Sequence, residues 1–258
     1  MTKIAANLSL MFNEVEFLDR FGAAAGAGFR AVEFMFPYAY PAMNIARAAR
    51  AAGVEIVLFN TPAGDWENGD RGIAAHPDRE AECREGVMTA LDYAKALDCK
   101  SLHLMAGKVP DTDLAAAREC LIGNARYAAD LAAAQGIDIL LEPINTRVDI
   151  PGYFYDTTSA VMEIIGEIDR PNVKLQYDAY HMQIMEGDLA RTIERLLPSI
   201  GHIQIADNPG RNEPGTGEIA FDWLLQQIDA LGYAGAIGCE YRPMGDTVEG
   251  LGWATRYL

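Results

Sequence analysis

Eight short apolar runs recur along this chain, and each is followed by a longer stretch with helical periodicity. The runs are KIAANLSLMF (3–12), AVEFMF (31–36), VEIVLFN (54–60), SLHLMAG (101–107), DILLEPI (138–144), VKLQYDAYH (173–181), HIQIADN (202–208) and AIGCEY (236–241). Near-continuous rather than alternating hydrophobicity marks a parallel strand buried on both faces. Helices, many of them Ala-rich, are expected over about 14–25, 42–52, 79–97, 113–134, 157–168, 188–197, 221–230 and 247–256, with Gly26, Gly53 and Gly136 as stop signals.

This alternation predicts a single (β/α)8 TIM barrel over residues 1–258. An open doubly wound sheet shares the alternation but places a glycine-rich turn after its first strand. Here MFNEVEF follows the first run, and GxGxxG occurs nowhere. No Pro/Ser-rich linker divides the chain. The longest irregular segment is TPAGDWENGDRGIAAHPD (61–78).

A barrel gives meaning to four polar positions. Glu142, Asp178, Gln204 and Glu240 fall at or near the C-terminal ends of the last four runs, the end where barrel chemistry sits. A carboxylate there is costly unless it is paired, hydrogen-bonded or bound to a metal. Taken singly, each reads equally well as a strand end capping the next helix. Together, three carboxylates and an amide form an all-oxygen set suited to a hard divalent ion, Mg²⁺ or Mn²⁺.

Three carboxylates outweigh a divalent ion's charge, so an anionic substrate needs further cations nearby. Arg211, in the loop ADNPGRNEPGTGE, and His181, three residues past Asp178, are placed to supply them. Glu33 is a buried-strand carboxylate and a further pocket candidate. Trp66 and Arg71 occupy the long loop, where a lid would exclude water. Lys108 follows the fourth run and is a second candidate for a substrate carboxylate. His103 reads as a core or barrel-lining residue, His202 as structural at the opposite end of the barrel, and His76 as solvated. Asn7 and Asn60 suit the pocket floor or loop caps, and Glu218 a cap or supporting position.

A formal charge of −16 and a pI near 4.6 argue against nucleic acid as a partner, because binding a phosphate backbone needs clustered Lys and Arg. No run approaches the roughly 18 apolar residues of a membrane span. The N-terminal segment reads as a strand rather than a signal peptide. Cys83, Cys99, Cys120 and Cys239 lack CxxC spacing and suit a reducing, cytoplasmic setting. Exposed aromatic loops leave room for a homo-oligomer.

LLEPIN (140–145), YDAYHMQ (177–183), HIQIADNPGRNEPGTGEI (202–219) and GCEYRP (238–243) resemble hydroxypyruvate isomerase and the related 2-oxo-tetronate isomerases, members of the xylose-isomerase-like barrels. NLSLMF, VEFMFPY and NTPAGDW extend the resemblance over essentially the whole chain. It implies that Glu142 and Glu240 are both metal ligands and the pair that moves a proton. Asp178 and Gln204 would complete the metal shell, and His181 would contact substrate. Gln204 stands where many superfamily members have His, which suits a harder ion than zinc. The implied substrate is a small anionic 2-keto acid, either hydroxypyruvate or 2-oxo-tetronate. No organic cofactor is required.

Overall fold

Eight parallel strands close on themselves in chain order to form a barrel. The computed structural model describes residues 3–258, apart from the side chain of Asp111. The strands are β1 (Lys3–Asn7), β2 (Ala31–Phe34), β3 (Glu55–Asn60), β4 (Ser101–His103), β5 (Asp138–Leu141), β6 (Val173–Asp178), β7 (Ile200–Ile205) and β8 (Ala236–Cys239). Between and around them lie α1 (Phe17–Gly26), α2 (Ala42–Ala52), α3 (Glu80–Leu97), α4 (Leu114–Ala133), α5 (Thr158–Ile168), α6 (Ala179–Met185), α7 (Leu189–Leu196) and α8 (Phe221–Ala230). The expected TIM barrel is therefore observed.

The outward-facing strand residues pack against the apolar faces of the helices. Phe21, Phe29, Phe34, Phe59 and Leu102 are fully buried there or nearly so. Small residues set the helix-to-strand spacing: Ala90 and Ala94 of α3, and Ala125, Ala128, Ala129 and Ala132 of α4, are all completely buried. Ala supports helix formation and lets a long helix approach the sheet closely.

Three boundaries differ from the sequence reading. The first apolar run stops pairing at Asn7, yet Leu8, Met11 and Phe12 stay buried in the following loop. The run at 173–181 breaks at Asp178, whose side chain accepts a hydrogen bond from the backbone N–H of Tyr180 at 2.7 Å and caps α6. The expected last helix is a short 3₁₀ segment, Glu249–Ala254. No helix among the described residues is long and apolar enough to cross a membrane.

Candidate active site

The C-terminal mouth of the barrel holds a cavity of about 250 Å³. Glu142 directly follows β5, Asp178 ends β6, Gln204 is the fifth residue of β7, and Glu240 directly follows β8. Strand register brings them together, since Asp178 pairs with Gln204 and Gln204 with Gly238. All four side chains are buried.

Gln176, two residues before Asp178 and so on the same strand face, ties the group together. Its Nε2 donates to Glu142 Oε2 at 3.0 Å and to Gln204 Oε1 at 2.6 Å. The Gln204 amide is fixed from its other side, because its Nε2 donates to Glu33 Oε1 at 2.9 Å. Glu33 also accepts from Asn7 Nδ2 at 3.0 Å and lies 2.7 Å from His202 Nε2. Gly238 makes room for this layer, as a Cβ there would meet Glu33 Oε2 at 2.1 Å.

Among the described residues, two carboxylate oxygens of the site are buried with no hydrogen-bond partner, Glu142 Oε1 and Asp178 Oδ2. Buried, unpartnered carboxylate oxygens are expensive. They lie 3.7 and 3.6 Å from His181 Nε2, and one donor atom from each of Glu142, Asp178 and His181 falls within a 4.8 Å cluster. This arrangement fits a divalent metal ion.

His181 takes part in that cluster as an N–H group. Asn145 Oδ1 accepts from the backbone N–H groups of Val148 and Asp149, at 2.9 and 3.0 Å, which leaves its Nδ2 facing His181 Nδ1 at 2.7 Å. An amide N–H can only donate, so Nδ1 accepts and the neutral ring carries its proton on Nε2. A protonated Nε2 is a hydrogen-bond donor rather than a metal ligand. The unpartnered oxygens of Glu142 and Asp178 are then the cluster's free acceptors for an ion.

Electrostatics reinforce the point. Burial, then the nearby Glu240 and Asp178 charges, pushes Glu142 well above the usual carboxylate range. Burial, opposed by Arg211, pushes Glu240 up to about 8 and Asp178 up to about 6. Burial also holds His103 down at about 3 and, with Arg211, lowers His181 well below its ordinary value. Both imidazoles are neutral, and the carboxylates lack enough positive charge among the protein's own groups.

Arg211 is already engaged. Its Nη1 donates to Asp149 Oδ1 at 3.0 Å and its Nη2 to Glu240 Oε2 at 3.1 Å, while the guanidinium lies 5.2 Å from the Tyr180 ring centre. Buried Asp207 shapes its loop, accepting from the backbone N–H groups of Asn208, Gly215, Gly217 and Ile219 at 2.8–3.0 Å. Arg211 itself holds a left-handed φ of 54°, the kind of strain that persists where surroundings enforce it.

Of the residues singled out in the sequence, Glu142, Glu240, His181, Arg211, Trp66 and Arg71 line the cavity, with Asp178 and Gln204 beside it. Glu33 does not line it and lies in the layer beneath Gln204. Lys108 is exposed and outside the lining. His202 is not at the opposite end; it is the third residue of β7, inside the barrel against Glu33. His103 lines the cavity with Nδ1 3.3 Å from Glu142 Oε2. Asn60 also lines it, whereas His76 does not. Exposed Glu218 accepts from Asn208 and Gln183 side chains. Asn145, Asp149, Gln176 and Asp207 went unnoticed in the sequence. Only Gln176 carried a signal, its two-residue spacing from Asp178.

A family model described as xylose isomerase-like TIM barrel matches residues 21–257. A 2-oxo-tetronate isomerase from Cupriavidus necator is 49% identical over 100% of this chain and 99% of its own length. The hydroxypyruvate isomerase of Escherichia coli K12 is 45% identical over the full length of both chains. A solved structure from Brucella melitensis, described as an AP endonuclease of family 2, superposes with a TM-score of 0.98 at 49% identity, covering 100% of this chain and 99% of that one. The chain belongs to the xylose isomerase-like TIM barrels and, within them, to the hydroxypyruvate isomerase family.

Proposed function

We propose that this enzyme is a divalent-metal-dependent isomerase of the aldose–ketose type, interconverting hydroxypyruvate and 2-hydroxy-3-oxopropanoate. The observation that carries this reading is the pair Glu142 and Glu240, buried on separate strand ends and facing one small cavity. Removing a proton from C3 and delivering one to C2, with the hydroxyl proton passing from O3 to O2, interconverts the two acids through an enediolate. A carboxylate whose proton affinity is raised towards neutrality is suited to each transfer.

Glu142 and Glu240 share the C–H proton transfers. The Nε2–H of His181 is aimed to donate to a substrate oxygen as charge develops. Glu142, Asp178, Gln204 and Glu240 would hold the ion, and their all-oxygen chemistry favours Mg²⁺ or Mn²⁺. When bound, that ion would act as a Lewis acid on the carbonyl and hydroxyl oxygens.

A second reading within the same chemistry is 2-oxo-tetronate, one hydroxylated carbon longer, which is the substrate in the name of the Cupriavidus necator relative. Nucleic acid is disfavoured despite the description of the Brucella melitensis protein. The formal charge is −16, and a cavity of about 250 Å³ suits a small acid. Four buried free cysteines support a cytoplasmic location. The test is turnover of both acids by one preparation, stripped of metal and then restored.

A further inference from the structure

The proposed substrates are anions, and the cation expected to meet their carboxylate, Arg211, is already taken up by Asp149 and Glu240, one on each Nη. A different guanidinium in the cavity wall is not. Among the described residues Arg71 pairs with no carboxylate. Its Nη1 donates to the backbone carbonyls of Trp66, at 3.0 Å, and Asp70, at 2.6 Å. Its Cζ lies 4.1 Å from the Trp66 ring centre, and Trp66 in turn packs on Phe36 with ring centres 5.0 Å apart. Carbonyls and an aromatic face hold a guanidinium in place without cancelling its charge.

The segment that carries Arg71 is firmly held. Asp70 Oδ2 accepts from the Asp65 backbone N–H and from Arg79 Nη1, both at 2.6 Å. Gly72 N–H donates to Ala63 O at 3.0 Å, and Gly72 bridges to Ala106 in the loop after β4. No side chain is tolerated at Gly72, where φ is +108° and a Cβ would fall 2.5 Å from Met105 O. This loop follows β3, two positions around the ring from β5 and three from both β6 and β8, the strands whose C-terminal ends carry Glu142, Asp178 and Glu240. Arg71 therefore faces the carboxylate cluster from across the mouth of the barrel.

We propose that Arg71, held by Trp66 and two backbone carbonyls opposite the carboxylate cluster, is the residue that binds the substrate carboxylate and selects 2-keto acids over neutral sugars. The inference rests on the isomerase reading above. In a 2-keto acid the carboxylate is the end that does not react, so an anchor across the cavity leaves C2 and C3 facing Glu142 and Glu240. Arg242, the other guanidinium in the lining without a carboxylate partner among the described residues, is exposed, and no hydrogen bond among those residues fixes its side chain. Ordering it on substrate would cost more side-chain entropy.

The test compares the metal-loaded wild-type enzyme with Arg71→Met, Arg71→Ala and Arg242→Met. For Arg71→Met, kcat/KM on hydroxypyruvate should fall roughly 10²-fold, about 2.7 kcal/mol, mostly through KM. The dissociation constant for Mn²⁺, read by electron paramagnetic resonance, should stay within about threefold of wild type, the scatter expected of a substitution that touches no ligand. Added guanidinium chloride should restore part of the Arg71→Ala activity. A merely structural role would give no rescue and a parallel loss of Mn²⁺ affinity. An Arg71→Met enzyme within about threefold of wild type, or a larger loss in Arg242→Met, would overturn the assignment. A wild-type enzyme inert towards both acids would instead overturn the substrate reading, and the inference with it.

Discussion

Gln204 Nε2 donates to Glu33 Oε1 at 2.9 Å, and together with the bond its Oε1 accepts from Gln176 this fixes which end of the amide faces which neighbour. Glu33 also receives Asn7 and lies against His202, so as a carboxylate it can only accept from all three. With Gln at position 33 that side of the constraint is lost, because either end of the Gln204 amide then finds a partner there, and only the bond from Gln176 still orients it. Glu33→Gln should weaken Mn²⁺ binding by roughly 10- to 100-fold, as the loss of outer support for a metal ligand does. Isothermal titration with MnCl₂ measures it. Unchanged affinity would remove Glu33 from the support of the site.

The two glutamates should be inseparable from turnover. Glu142→Gln and Glu240→Gln preserve size and one oxygen but cannot accept a proton. Each should fold and lose more than the roughly 10²–10⁴-fold of a lone acid–base group, because metal binding also suffers. Steady-state kinetics at the Mn²⁺ concentration that just saturates the wild type provides the check. Near-normal kcat in either variant would strip that residue of its role.

Stability of the metal-free protein should fall as pH rises. Burial holds Glu240 protonated up to about 8 in the folded state, opposed by Arg211, whereas the unfolded chain releases that proton near 4.5. Glu142 is shifted in the same direction, chiefly by burial. Between those values the unfolded state binds fewer protons, so raising the pH favours unfolding. His103 and His181, held neutral in the folded state, take up protons on unfolding below about 6.5 and oppose this trend there. The melting temperature in chelator should therefore drop between about pH 7 and 8, and added Mn²⁺ should raise it more at pH 8 than at pH 7. A metal-free protein that grows more stable across this window would contradict the account.

Much of the fold was legible because a strand buried on both faces announces itself without needing its partners. The eight runs located every strand, and the last four located the three carboxylates and the amide. Strand ends were less legible because burial and pairing are different properties. Leu8, Met11 and Phe12 are buried in a loop, which hydrophobicity alone renders as strand. The layer of Glu33, His202 and Gln204 was invisible for another reason. It depends on which inward positions of β2 and β7 meet across the barrel, separated by 169 and 171 residues in the chain. The same holds for Arg211, which suited a substrate carboxylate until Asp149, 62 residues away, proved to be its partner.

The proposed reaction is metal-assisted proton transfer between C2 and C3 of a small 2-keto acid. Its most direct test follows hydroxypyruvate and 2-oxo-tetronate by proton NMR in deuterated water, with one preparation stripped by chelator and then restored with Mg²⁺. The account predicts no isomerisation by the stripped enzyme and recovery on adding the ion. Deuterium should enter only at the carbons that exchange the proton. Full turnover of either acid by protein verified to be metal-free would contradict it, as would a restored enzyme that isomerises neither.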